Sequence, residues 1–350
     1  MKVMRLFRFF SLGGLAAGAI VFGAKSCSHG CKGDLPPATE VRLSKGAGGV
    51  GFLPLLVMQQ ERLIEKHATK NGMPELKVTW LPVGGPTVVN NALLSGHIDF
   101  VAAGPPAFLI LWANSECEVR GVSAITSLPM YLNARDARLQ TLDDFNDRDR
   151  IAVTGTNTSI PAVIMQKYAV GKHGLSKAKL FDRLTITMTH AEGLNTLLSG
   201  SKTISAHFTS PPFHQRELQD PNVHTVINSS QIMNGSTTFN MLSTTTAFYK
   251  KNPKVVAAVL AALEQANRMI RDDKRWAAEI LFNETPNSKF TKAQLLDAIS
   301  DPAVKFTIVP ENIMEYGEFM HKVGTLEKKP SNWTDMFFPE IYKVYGAQGS

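Results

Sequence analysis

Two stretches of this chain place a donor-rich loop just ahead of a proline that opens an apolar, helix-like run. The first is Gly46-Ala-Gly-Gly-Val-Gly51 before Pro54, and the second is Thr154-Gly-Thr-Asn-Thr-Ser159 before Pro161. Proline suits the first helical position because the N–H it lacks would have no partner there. Both loops therefore sit at predicted helix N-termini, where unpaired N–H groups and about +0.5 charge attract an anion. Gly48, Gly49 and Gly51 permit close backbone approach, and Thr156, Thr158 and Ser159 add hydroxyl donors. Neither loop holds an Arg, and Lys45 at the edge is the one nearby cation. This pattern points to an anion held by N–H groups, hydroxyls and helix ends rather than by an ion pair. Thr158 or Ser159 also reads as a simple N-cap, and the two roles are compatible.

Other chemistries fit less well. The run 46–51 matches G-x-G-x-x-G, yet the second predicted strand ends Leu81-Pro82-Val83 without the acidic residue a ribose hydroxyl needs. His190 and Glu192 form an acid–base pair on paper, but no Ser or Cys nucleophile motif accompanies them, which favours a hydrogen-bonding or solvated His190. Glu192 at the loop mouth could also pair with a cationic group of a zwitterionic ligand. Cys27-Ser-His-Gly-Cys31 offers metal-ligand types without a second cluster, so a local disulfide or a solvated tail is expected there, and Cys117 has no evident dyad partner. Neither a metal nor a cofactor is expected. Trp80, Phe108, Trp112 and Phe213 are candidates for a pocket wall or, as buried aromatics more often are, for the core.

The elements that must position these loops are repeated. Residues 41–106 and 150–212 share an order: a strand, a loop, a Pro-started helix carrying Met and Gln (Met58-Gln59; Met165-Gln166), a second strand, and a short helix ending Leu-Leu-Ser-Gly (93–96; 197–200). A third strand follows in each, running into Gly104-Pro105-Pro106 or Ser210-Pro211-Pro212. The glycine after Leu-Leu-Ser suits a left-handed C-cap. A β-loop-α-β-α-β order implies parallel strands and right-handed crossovers, so two copies predict two similar α/β lobes. In such sheets ligands sit beyond the carboxyl ends of the strands, which here means loops 46–51, 84–87, 154–159 and 189–193. Residues 239–246 read as a further strand, and the tail reads as packing helices. Asn252-Pro253 starts one, with a stripe of Val255, Val256, Val259, Leu260, Leu263, Ala266 and Ile270, and shorter helices follow at 275–283 and 293–300.

Three hundred and fifty residues, 44% apolar and 19% charged, exclude disorder, collagen and coiled coil and suit two domains. The net charge is +7, but Lys2, Arg5, Arg8 and Lys25 lie in the first 26 residues, where no Asp or Glu occurs. No polybasic face argues for nucleic acid. Residues 9–24 are uncharged and mostly apolar, short for a bilayer span of about 20 residues, and Ala24-Lys25-Ser26 places small residues ahead of a cut before Cys27. Residues 1–26 are thus expected to be a signal peptide, with an uncleaved anchor or lipidation at Cys27 as alternatives, and 27–39 a flexible segment. The expected location is the periplasm.

The order of Leu-Ser-Gly-His-Ile-Asp-Phe…Gly-Pro-Pro (94–106), Thr141-Leu-Asp-Asp-Phe before Arg150-Ile-Ala-Val, and Ala247-Phe-Tyr-Lys-Lys-Asn-Pro253 resembles the nitrate/sulfonate/taurine-type substrate-binding proteins of ABC transporters. The resemblance covers roughly residues 40–345. It implies an α/β, type II periplasmic-binding-protein fold, with two similar Rossmann-like lobes joined by two crossover strands near 121–131 and 227–241 and a helical C-terminal tail. Lobe 1 would be 40–125 plus 233–350, and lobe 2 would be 126–232. It implies a monomeric, non-enzymatic receptor that carries a small anionic ligand to a permease in the inner membrane. An exported sensor feeding a membrane receptor shares the same features. A thiamine-pyrimidine-type enzyme on this fold would need a Cys-rich motif that this chain lacks. The expected ligand-binding set is Gly48, Gly49, Gly51, Phe52, Gly85, Pro105, Ser127, Thr156, Thr158, Ser159, His190, Glu192 and Ser210.

Overall fold

The computed structural model describes residues 38–82, 85–157, 159–284 and 290–342, the side chain of Pro86 excepted. The signal-peptide reading of 1–26, Cys27, Cys31 and Thr158 lie outside these residues. The first repeat runs β1 (Glu40–Ser44), α1 (Leu53–Gln60), α2 (Leu63–Lys70), β2 (Lys77–Leu81), α3 (Pro86–Leu94), β3 (Val101–Ala103), α4 (Pro105–Asn114) and β4 (Val119–Ser127). After β5 (Tyr131–Ala134), the second runs β6 (Ile151–Val153), α5 (Ile160–His173), β7 (Thr185–Thr187), α6 (His190–Leu198), β8 (Ala206–Thr209), α7 (Phe213–Glu217) and β9 (His224–Asn228). The chain continues through α8 (Ser229–Ile232), β10 (Thr238–Thr245), α9 (Thr246–Lys251), α10 (Pro253–Asp272), α11 (Lys274–Glu284), α12 (Lys292–Ser300) and α13 (Ile313–Lys322).

Both repeats build the same strand order. In the second, β6 lies between β7 and β8, parallel to each. In the first, β1 is parallel to β2 and makes a parallel bridge from Leu43 to Phe100 on its other side, just ahead of β3. The Ser44 N–H donates to the carbonyl of Phe100 and its hydroxyl accepts from the N–H of Ala102, extending that edge. The third strands begin only at Val101 and Ala206, because Ser-Gly-His-Ile and Ser-Gly-Ser-Lys first close turns against the preceding helix.

The long-range strands join the two repeats. The carboxyl-terminal strand β10 runs antiparallel between β3 and β4, whereas β5 runs antiparallel between β8 and β9 in a five-stranded sheet. The chain therefore passes from one sheet system to the other between β4 and β5 and returns between β9 and β10. The tail helices cover the first sheet system. Val255, Val256, Val259, Leu263, Ala266 and Ile270 of α10 are buried, while Leu260 is half-buried at the stripe's edge. Each buried Val, Leu or Ile contributes about 1.5–3 kcal/mol relative to exposure, so this stripe alone fixes α10. Asn252 holds the start of α10 differently from a simple cap: its side chain accepts from the N–H of Ala38 and donates to the Phe248 carbonyl.

Candidate functional site

Four helices start at one cavity of about 400 Å³. Gly85, Gly104, Ser159 and Thr189, the N-cap residues of α3, α4, α5 and α6, all line it. The position follows from the repeat, since each of these helices leaves the carboxyl end of a strand. Val89, Met130, Ile160, Met188 and Phe239 make much of the wall apolar, and Thr154, Thr187 and Asn240 contribute polar groups. No Lys, Arg, Asp or Glu is among the described lining residues. Unpaired N–H groups are offered chiefly by the first turns of α3 and α5, since α4 opens with Pro105 and Pro106, which carry no N–H, and the first turn of α6 is closed by Thr189 and the Glu192 carboxylate.

Contacts between the repeats bound this cavity. A Cβ built on Gly104 would sit 3.4 Å from the Ile160 side chain, and one on Gly85 3.5 Å from the Thr154 carbonyl. Outside the lining, the N–H of Val50 in the first repeat donates to the carbonyl of Pro211 in the second at 3.3 Å, and Lys167 of α5 pairs with Glu315 of the tail helix α13.

The expected site residues divide into three groups. Phe52, Gly85, Ser159 and His190 line the main cavity. Gly48 and Gly49 instead line a neighbouring hollow of about 390 Å³ beside Lys45 and Trp80. Phe52 faces both spaces, packed edge-on to Phe239 with ring centroids 6.2 Å apart, so its ring is the partition between them. Gly46 makes this possible: its φ is 78°, and a Cβ there would lie 2.0 Å from the Phe52 ring.

The remaining residues are placed elsewhere. Gly51 is buried, and its carbonyl accepts from Thr126 and Asn240. Pro105 is buried one residue inside α4, and Ser210 is buried at the end of β8, where its carbonyl accepts from the His214 N–H. Ser127 ends β4 and exchanges backbone hydrogen bonds with Lys305, away from the cavity lining. Thr156 is exposed on its loop and does not line the cavity. Phe108 and Trp112 are core, at 1% exposure each.

Two polar residues have roles that the spacing alone did not show. Ser159 occupies the N-cap position of α5, but its hydroxyl donates to the Gly155 carbonyl at 2.5 Å instead of capping the helix. Glu192 is not paired with His190. Its carboxylate accepts from the N–H and hydroxyl of Thr189, closing a capping box at the exposed start of α6. The Thr189 backbone and hydroxyl donors hold the Glu192 carboxyl below its usual range.

His190 turns inward. Its Nδ1 lies 3.2 Å from Nε2 of His207, and its ring stacks on Phe213 with centroids 5.2 Å apart. Burial, reinforced by His207, pushes the His190 pKa down to about 3, so the ring is neutral. Behind it, His207 Nδ1 lies 2.6 Å from Oε1 of Glu217, and Oε2 of Glu217 accepts from Asn133 at 2.8 Å. Asn133 in turn meets His214, whose ring stacks on Tyr131 with centroids 3.6 Å apart. Burial lowers the His214 pKa to about 4. The one signal of this chain of groups in the amino-acid order is His207 itself, an ionisable residue inside the fully buried strand β8.

No group of His, Cys, Asp and Glu among the described residues is arranged to hold a metal ion, and Cys117 is a free thiol. No described helix is long and apolar enough to cross a membrane.

No family model and no curated protein matches the chain. Solved structures do. The alkanesulfonate-binding protein SsuA from Xanthomonas axonopodis pv. citri, bound to MOPS, matches with a TM-score of 0.63 at 16% identity, over 84% of this chain and 96% of that one. The periplasmic aliphatic sulphonate-binding protein SsuA from Escherichia coli matches with a TM-score of 0.59 at 16% identity, over 87% and 92%. The periplasmic nitrate-binding protein NrtA from Synechocystis matches with a TM-score of 0.64 at 13% identity, over 89% of each chain. The chain has the periplasmic-binding-protein fold, with two α/β lobes and a helical carboxyl-terminal tail.

Proposed function

We propose that this chain is an extracytoplasmic solute receptor that binds a small anionic or zwitterionic organic ligand between its lobes and delivers it to an ABC importer. The carrying observation is the convergence of four helix N-termini on one cavity whose described lining has no charged side chain. A neutral guest would leave the unpaired N–H groups at the starts of α3 and α5 without a charge to match, whereas a sulfonate, carboxylate or nitrate gains charge-assisted hydrogen bonds. The fold it shares with sulfonate- and nitrate-binding proteins supports the same reading. Residues 126–232 would form one lobe and 40–125 with 233–350 the other. Residues 1–26 would direct export, and a permease would be the partner in the membrane.

Titration calorimetry with small sulfonates, carboxylates, nitrate, amino acids and neutral sugars tests the ligand class. Anions are expected to bind and neutral sugars to be silent. Tight binding of a sugar with every anion silent would refute the reading.

A further inference from the structure

The cavity's imidazole has a second row of groups behind it, and their protons are linked. Glu217 and His207 have side chains 0% and 1% exposed and are in contact at 2.6 Å. Among the described residues, His207 is the basic group within ion-pairing distance of Glu217. An ionised Glu217 beside a neutral His207 would leave one net negative charge in the interior, which is strongly disfavoured. A pair that shares one additional proton has no net charge. That proton lies either on His207 Nδ1, giving imidazolium and carboxylate, or on Glu217, giving a carboxylic acid that donates to His207 Nδ1. In both arrangements His207 keeps a proton on Nε2. With an ionised Glu217 and a neutral His207 the direction of the contact to His190 would reverse. With the pair carrying that proton, the N–H faces Nδ1 of His190, 3.2 Å away, and Nδ1 of His190 is the acceptor. A neutral His190 then carries its single proton on Nε2, an atom with no hydrogen-bond partner among the described residues, on a ring that lines the cavity.

We propose that Glu217 and His207 are positioning residues that hold His190 as its Nε2–H tautomer, so that the cavity offers an imidazole N–H donor to the anionic end of a ligand. The ligand part of this inference rests on the proposed receptor function; the tautomer part does not. Two further features fix the geometry. Gly193 of α6 faces the His207 ring, where a Cβ would lie 2.5 Å from Nε2, so glycine lets the strand's imidazole reach the helix that carries His190. Phe213 stacks on His190 and sets the plane in which its N–H points. The donor complements the helix ends, and it does so without a formal charge that would bind anions indiscriminately.

The test is nitrogen-15 NMR of the full chain with labelled histidine, first without ligand. The expected result is His190 protonated on Nε2 and unprotonated on Nδ1 at neutral pH. Protonation on Nδ1 overturns the proposal, whatever the chain binds. The wild-type spectrum decides this even if Glu217→Leu, which removes the buried acid, does not fold. Where that variant folds, His207 is free to change its tautomer, and loss of the single Nε2–H form of His190 is expected. Methanesulfonate and nitrate are then added at millimolar concentration. A downfield shift of the His190 Nε2 proton in the wild type, with at least tenfold weaker anion binding in His190→Phe read from the other shifted resonances, supports the contact. Binding that shifts other residues but leaves His190 unmoved overturns the contact. If neither anion binds anywhere, the receptor reading fails for these anions while the Nε2–H result stands by itself.

Discussion

Gly193 and His207 occupy a space that cannot hold one more carbon: a Cβ on Gly193 would lie 2.5–2.7 Å from three atoms of the His207 ring. Glycine in the interior of α6 therefore gives up helix propensity to admit an imidazole from the neighbouring strand. Gly193→Ala recovers about 1 kcal/mol of propensity but forces an overpacked contact costing about 1–3 kcal/mol. The contact should win, lowering the urea midpoint and moving the His207 resonances. An alanine variant as stable as the parent, with an unshifted His207, would show that the space is not confined.

Thr189 caps α6 through its hydroxyl, which accepts from the Glu192 N–H, and the cavity is directly in front of it. Thr189→Ala is expected to cost about 0.5–2 kcal/mol of stability and to weaken anion binding as well, while Thr189→Ser keeps both. Denaturant titration paired with calorimetry separates the two effects.

Stability should fall on mild acidification. His190 and His214 titrate near 6.5 when unfolded but at about 3 and about 4 when folded, owing to burial. Between those values the unfolded chain binds more protons, so stability rises with pH there. It is fully present above pH 6.5 and is lost as pH drops through the folded values. Each ring contributes up to about 1.4 kcal/mol per pH unit in that window. Urea midpoints at pH 7, 6 and 5 should decline, and His190→Gln should flatten the decline by about one proton. A flat wild-type profile over this range contradicts neutral burial of the rings.

Much of this organisation is legible in the amino-acid order, for a physical reason. Pro54 and Pro161, and the paired Leu-Leu-Ser-Gly helix ends, are local signals: a proline or a cap acts on its own turn, and a repeated order of such signals predicts a repeated strand arrangement. The stripe of α10 is legible because helical period puts its apolar residues on one face. The polar path His190–His207–Glu217 is not, since it joins α6, β8 and α7 and obeys neither a helical nor a strand period. In the amino-acid order Glu192 is the acid nearest His190, and the pattern favours a hydrogen-bonding or solvated His190 over a pair between them. In the fold Glu192 closes its own capping box, and the acid that matters to the imidazoles comes from α7.

Contacts such as Val50 to Pro211 and Gly104 against Ile160 join the two repeats around the cavity. If a ligand is held from both sides, these contacts should form with it and loosen without it. Small-angle scattering of the ligand-free chain is expected to give a larger radius of gyration than at saturation. Identical profiles at proven saturation would rule out a moving hinge.

A cavity whose positive potential comes from main-chain N–H groups has an evolutionary consequence. Mutation cannot remove a peptide dipole without unmaking the helix, so preference for an anion persists as the lining side chains drift. Val89, Met130, Ile160 and Met188 can change in size without touching the charge preference. Descendants of such a chain would retain the charge class of their guest and diverge in its shape, a separation of heritable traits written into backbone and side chain respectively.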